Sequence, residues 1–249
     1  MINKERAFFG FPEDFHNKFL IYPPLIKDII GNIEYPQYHQ LLTLSQEDIE
    51  DELAQDKEKD YGDLPTPFEF LLANSYHDKE FERIARNAFY FFIHQEVTFI
   101  YEQKKILIGD LEEELARVKD LSELIFLEEE EFFEFQNNIR ESIGEKAIEP
   151  PDPNEHPKIK RMKALARYRD RIKAKSGKGL NLETLISSIC CMGIGITPLN
   201  IGEMTYVAAN TLVMRYQEKE KYEIDIRSIQ AGAEAKKIKP KYWIRNLDE

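Results

Sequence analysis

Residues 65–110 read "PTPFEFLLANSYHDKEFERIARNAFYFFIHQEVTFIYEQKKILIGD", and the order of patterns in this stretch decides the fold class. Thr66 is placed to cap a helix, Pro67 suits the first helical position, and Glu69 can reach back to the cap. A second helix carries Phe81, Ile84, Ala85, Ala88, Phe89 and Phe92 at three- and four-residue steps, an apolar stripe. The period then changes. Val97 to Tyr101 and Lys105 to Ile108 are β-prone runs around a short polar turn, which predicts a hairpin near 97–108. Two helices followed by a hairpin make this half mainly α with a small β component.

Upstream, Pro12, Pro23, Pro24 and Pro36 interrupt an aromatic-rich segment, so short helices and extended pieces are expected there. "LSQEDIEDELAQ" (44–55) predicts a helix with Ser45 and Asp48 in a capping box. Downstream, Leu111 to Ile143 reads as helical and acidic, with Gly144 as its stop. Glu128 to Glu131 point around the whole helix and read as a solvated face, whereas Phe132, Phe133 and Phe135 are expected to dock on the core.

Four prolines within "EKAIEPPDPNEHP" (145–157) mark a linker, and the composition changes beyond it. Ten Lys or Arg against the single acid Asp170 lie between Lys158 and Lys178. That basic segment has three readings: a solvated helix face, a surface for an acidic helix, or a nucleic-acid contact. Tyr168 is its one aromatic, which supplies a stacking platform for single strands poorly. Helical periodicity continues after it, with Asn181 and Asn200 as expected caps, the latter with Glu203. The expected organisation is an acidic, mainly helical domain over 1–144, a linker over 145–157, and an all-helical module of about four helices over 158–249.

Composition bounds the function. A net charge of -12 over 249 residues repels phosphates and argues against a general nucleic-acid binder, while 42% hydrophobic residues can fill a core. "MINKERAFFGFPEDF" lacks the apolar run of a signal peptide and no segment is long and apolar enough to span a membrane, so a cytoplasmic protein is expected. Cys190 and Cys191 are adjacent, a spacing that suits neither a staple nor a metal site, and they are expected as buried thiols. The five histidines form no i, i+4 pair. "KSGKG" and "GIGITPLNIG" miss the phosphate-loop and dinucleotide spacings, and Ser187 and Ser188 lack a nucleophile-elbow frame. A non-enzymatic role without cofactor or metal is therefore expected.

The stretch "LNLETLISSICCMGIGITPLNIGEMTYVAANTLVMRYQEKEKYEIDIRSIQAGAEAKKIKPKYWIRNL" (180–247) resembles the C-terminal part of proteins from tailed phages of Gram-positive bacteria and their prophages. Shared features are an apolar helix, a P-L-N-I turn, a helix opening with M-T-Y, an A-G-A step and a basic approach to a lone Trp. The stretch 65–110 resembles the same proteins' N-terminal half. The resemblance implies a tail assembly chaperone, able to oligomerise, that holds the long helical tape-measure protein; it carries over no catalytic residues. A structural component of the phage tail or baseplate is the alternative. Lys160, Arg161, Arg167, Arg171, Tyr242, Trp243 and Arg245 are the expected partner-binding residues: a basic helix and a terminal aromatic anchor in a cationic setting. Trp243 also fits the role of a lid folded onto its own module.

Overall fold

A computed structural model describes residues 3–53, 64–150, 156, 159, 162 and 182–244. The chain divides into two compact units, 1–147 with 203–207 and 148–202 with 208–249. Five residues of the stretch 158–249, Glu203 to Val207, belong to the first unit. Overall the protein is mainly helical with two small antiparallel sheets.

In the first unit the proline-punctuated start gives α1 (Lys4–Phe8), the hairpin β1 (Glu13–Phe15) and β2 (Phe19–Ile21), then α2 (Ile26–Gly31) and α3 (Tyr35–Leu42). Helix α4 (Gln46–Leu53) follows Ser45, whose N–H donates to Asp48 Oδ2 at 3.1 Å while Asp48 N–H donates to Ser45 Oγ at 3.2 Å. The capping box is formed as expected. Helix α5 (Pro67–His77) starts the same way: Glu69 N–H donates to Thr66 Oγ1 at 3.1 Å, and Thr66 N–H to Glu69 Oε2 at 3.3 Å.

Helix α6 (Lys79–Ile93) buries Ala85, Ala88, Phe89, Phe92 and Ile93, the stripe read from the spacing. It ends on His94, which takes the left-handed conformation at φ 55°. Strands β3 (Val97–Ile100) and β4 (Lys105–Ile108) pair antiparallel with Val97 opposite Ile108.

The segment 111–143 departs from the expected single helix. It forms α7 (Leu111–Arg117), a 3-10 turn, the two-residue strand β5 (Phe126–Leu127) and α8 (Glu129–Ser142). Strand β5 completes a sheet in the order β3-β4-β5, and Glu128 precedes α8 as its cap. The acids 128–131 are only partly a solvated face. Glu128 takes Lys105 at 2.5 Å, Glu129 accepts from the Thr66 hydroxyl at 2.7 Å, and Glu131 takes Lys18 at 2.6 Å. Each contact ties α8 to another element.

The core is aromatic. Phe89 stacks on Phe135 with ring centroids 5.4 Å apart, Phe15 stacks on Phe19 at 5.0 Å, and Phe68 meets Phe132 edge-on at 5.2 Å. Phe132 and Phe135 dock as expected, but Phe133 is exposed, because one residue turns a helix by about 100° off the buried stripe.

The five-residue insert, 203–207, leaves a 3-10 turn at Glu203, passes through Met204 and Thr205, and opens α10 at Tyr206. Thr205 lies opposite Leu25 in an isolated antiparallel bridge, and Val207 joins the buried cluster.

In the second unit, α9 (Leu182–Cys191) buries Leu185 and Ile189, and a left-handed Gly193 and Gly195 follow it. Helix α10 (Tyr206–Gln230) is 25 residues long, about 37 Å. Its first residues lie in the first unit. It is one unbroken helix, since no Gly or Pro lies between Tyr206 and Gln230, and Gly232 at φ 102° provides the stop. The short α11 (Ala235–Ile238) follows. Asn200 does not cap α10. Its side chain accepts from Thr197 N–H at 2.7 Å and donates to Gly195 O at 3.2 Å, closing a turn.

Candidate functional site

Helix α10 opens on an apolar face: Ala208, Ala209 and Val213 are buried. Beyond Val213 no side chain of the helix is fully buried. Met214 and Ile224 are exposed there, with Ile226 and Ile229 half-buried. A helix normally buries one stripe completely. This one carries apolar side chains over several turns without doing so.

The terminal strip runs back along the same helix. Arg215 Nη1 donates to the Trp243 carbonyl at 2.9 Å, and the Tyr222 ring meets Tyr242 edge-on at 5.5 Å. Trp243 is half-buried, so it is held against its own module, while Tyr242 and Ile244 are more than half exposed. Of the expected binding residues, the structure therefore brings Tyr242 and Trp243 onto α10. Lys160, Arg161, Arg167, Arg171 and Arg245 lie outside the described residues. Within the basic segment only Ile159 and Met162 are described, both helical and exposed.

Cys190 is half-buried and Cys191 exposed, not the buried pair expected. Leu185 and Ile189 set the inner face of α9, and each further residue rotates away from it.

Two clefts lie within the first unit. One, of about 620 Å³, is lined by Gly10, Tyr22, Pro24, Leu25, Lys27, Tyr90 and His94, among others. His94 stacks on Tyr22 at 4.0 Å, and burial holds its imidazole below the usual value, favouring the neutral ring. Phe9, Phe11 and Ile30, chain neighbours of the lining residues Gly10 and Gly31, are exposed. The second cleft, of about 760 Å³, is lined mainly by apolar and aromatic groups, including Leu72, Tyr76, Phe99 and Tyr101. Burial pushes the Tyr101 phenol up to about 12. Sequence reasoning missed both. Their linings are assembled from distant segments, and only the run "AFFGF" (7–11), too aromatic for an exposed turn, signalled the first.

Ion pairs organise the polar groups of this unit. Glu34 accepts from Arg83 at 2.5 Å and from the Tyr38 hydroxyl at 2.8 Å, and the Arg83 and Tyr38 bonds hold its carboxyl at about 2. Burial pushes the Glu82 carboxyl up, but its bonds to Lys79 and Arg86, both 2.8 Å, outweigh that and keep it low. Both patterns brace helices. His16 meets Glu134 at 3.1 Å, and His39 meets Glu145 at 2.8 Å, where Arg140 also reaches Glu145 at 3.5 Å. Among the described residues no cluster of three or more His, Cys, Asp or Glu could hold a metal ion, and no helix is long and apolar enough to cross a membrane.

Residues 172–248 match the family model described as the YomV second domain, a phage- and prophage-associated family. No curated protein and no solved structure matches the chain.

Proposed function

We propose that this protein is a phage or prophage tail assembly chaperone that binds a long helical partner, the tape-measure protein. The observation that carries the reading is α10. It is a 25-residue helix with exposed Met214 and Ile224, its flank occupied by the Tyr242–Trp243 strip, inside the segment that matches a phage-associated family. Grooves beside long amphipathic helices accept other helices through apolar anchors spaced by turns. The acidic balance of the chain supports the same role, since a strongly charged, hydrated holder keeps a long apolar-striped polypeptide from self-association.

The division of labour follows from physical chemistry. Charge on the basic segment sets the association rate and its salt dependence, and a desolvated aromatic sets dissociation. The test is co-expression with the tape-measure protein encoded in the same phage or prophage, followed by pull-down. Wild type is expected to co-purify with it. Trp243→Ala is expected to weaken the complex by about 2 kcal/mol with a nearly unchanged melt. The pair Arg167→Glu and Arg171→Glu is expected to slow association at low salt and to matter less at high salt. No co-purification with wild type removes the chaperone reading. A collapsed melt for Trp243→Ala makes the strip a structural lid instead.

A further inference from the structure

The cleft of about 620 Å³ in the first unit is walled by rings: Tyr22, Tyr38, Tyr90, Phe91 and His94 all line it. His94 and Tyr22 stand nearly parallel, 4.0 Å apart with 19° between their planes, and Tyr38 meets Phe91 at 5.9 Å. Tyr38 is 3% exposed and donates its hydroxyl to Glu34 at 2.8 Å, so its phenol oxygen is already committed. Aromatic faces carry negative potential and attract cations within about 6 Å.

The charges around these rings act in the same direction. Asp28 lines the cleft, accepts from Leu25 N–H at 3.3 Å and enters no ion pair among the described residues. Lys27 is the one cation of the lining, and it is paired with Glu203 at 2.9 Å. Arg6, which stands over Phe11, is matched by Glu13 at 3.2 Å. Burial favours the neutral form of His94, so that ring adds no positive charge. The C-terminus of α6 contributes further. Tyr90 and Phe91 belong to its last turn, His94 is its cap, and the turn holds no basic residue. The carbonyl end of a helix is partially negative and is stabilised by a cation placed near it. The cleft is built for a positive charge that the local sequence does not supply.

Its rim is apolar. Phe9, Phe11 and Ile30 are each more than half exposed and adjoin the lining residues Gly10 and Gly31 in sequence. A free small cation would leave that surface bare, whereas a cationic side chain carried by a polypeptide brings neighbours that cover it. A planar guanidinium stacks on rings and forks onto a carboxylate, which an ammonium does less well.

We propose that this cleft binds an arginine side chain of a partner polypeptide, with the guanidinium among the rings beside Asp28 and apolar neighbours of the arginine on Phe9, Phe11 and Ile30. The lining residues all lie between positions 10 and 94, so the site stands whether or not α10 binds a helix.

NMR titration of the full chain with the peptide acetyl-Leu-Leu-Arg-Leu-Leu-amide tests this. The ring signals of Tyr22, Tyr90 and His94 are expected to shift saturably, with a Kd below about 1 mM. Citrulline in place of the arginine keeps the shape and removes the charge, and is expected to bind at least about tenfold more weakly. Asp28→Asn, which retains an acceptor for Leu25 N–H, is expected to weaken the arginine peptide by about tenfold as well. Should that variant loosen α2, Tyr90→Ala, at a position 55% exposed, is expected to cost about threefold or more. Acetyl-arginine-amide, without the leucines, is expected to bind at least about tenfold more weakly than the peptide. Ring signals unmoved by the peptide, or equal binding of the citrulline peptide, overturn the cation site. Equal binding of acetyl-arginine-amide makes the ligand a small organic cation and overturns the polypeptide partner.

Discussion

The two units spend their polar and apolar groups differently. In the first, aromatic side chains from four elements interlock, and ion pairs join elements far apart in sequence: Arg83 with Glu34, Lys18 with Glu131, Lys105 with Glu128. In the second, the pairs on α10 and α11 lie three or four residues apart, as between Arg227 and Glu223 at 3.3 Å and Lys237 and Glu234 at 3.1 Å. Its buried side chains, among the described residues, are few and mostly aliphatic or small. Among the described residues, tertiary contacts hold the first unit, whereas α10 carries local ion pairs and leaves apolar side chains such as Met214 and Ile224 exposed.

The sharpest break of that contrast is a core deletion. Phe135→Ala, at a fully buried ring touching Phe15, Phe19, Phe89 and Phe132, is expected to cost about 3–5 kcal/mol in urea denaturation. Ile224→Ala, on the exposed part of α10, is expected to cost under about 0.5 kcal/mol. Equal losses would erase the distinction between the units.

A middle-sized effect is expected at Thr66, which caps α5 and donates to Glu129 on α8. Thr66→Ala is expected to lose about 1–2 kcal/mol. A loss confined to a few tenths, measured the same way, would show that the link between the helices adds nothing to the cap.

The gentlest probe is acid. The Glu34 carboxyl, held at about 2 against an ordinary 4.5, binds its proton more weakly folded than unfolded. Its contribution is therefore complete above about 4.5 and lost as the pH falls through about 2. The melting difference between wild type and Glu34→Gln should be constant from pH 7 to 5 and shrink between 4.5 and 2. A difference that grows on acidification contradicts the assignment.

Much of the first unit was legible because its signals are local. Thr66, Pro67 and Glu69 fix where α5 begins within four residues, and the stripe on α6 needs only the helical period. Strand β5 was not legible. Two residues carry no period, and Phe126 and Leu127 stand directly before a run of glutamates that favours helix. The same glutamates concealed that Glu128 is a cap. On the site, Tyr242 and Trp243 were visible as an aromatic pair in a cationic setting, but the Arg215 contact that decides how Trp243 sits joins positions 28 apart. The bridge from Leu25 to Thr205 is the extreme case. Nothing in "EMTYV" (203–207) signals that Thr205, just before a helix, pairs with a residue 180 positions earlier.

That insert has a consequence in time. Val207 and Thr205 belong to a unit whose other residues end at Ala147. A ribosome making roughly 5–20 residues per second therefore emits the rest of the first unit several seconds before the piece that completes it. During that interval the carbonyls of Phe8 and Pro24 and the amide of Ile26 lack the partners they have in the finished protein. The nascent first unit is thus an unfinished body awaiting its last segment, and anything that pauses synthesis between residues 147 and 203 prolongs that state.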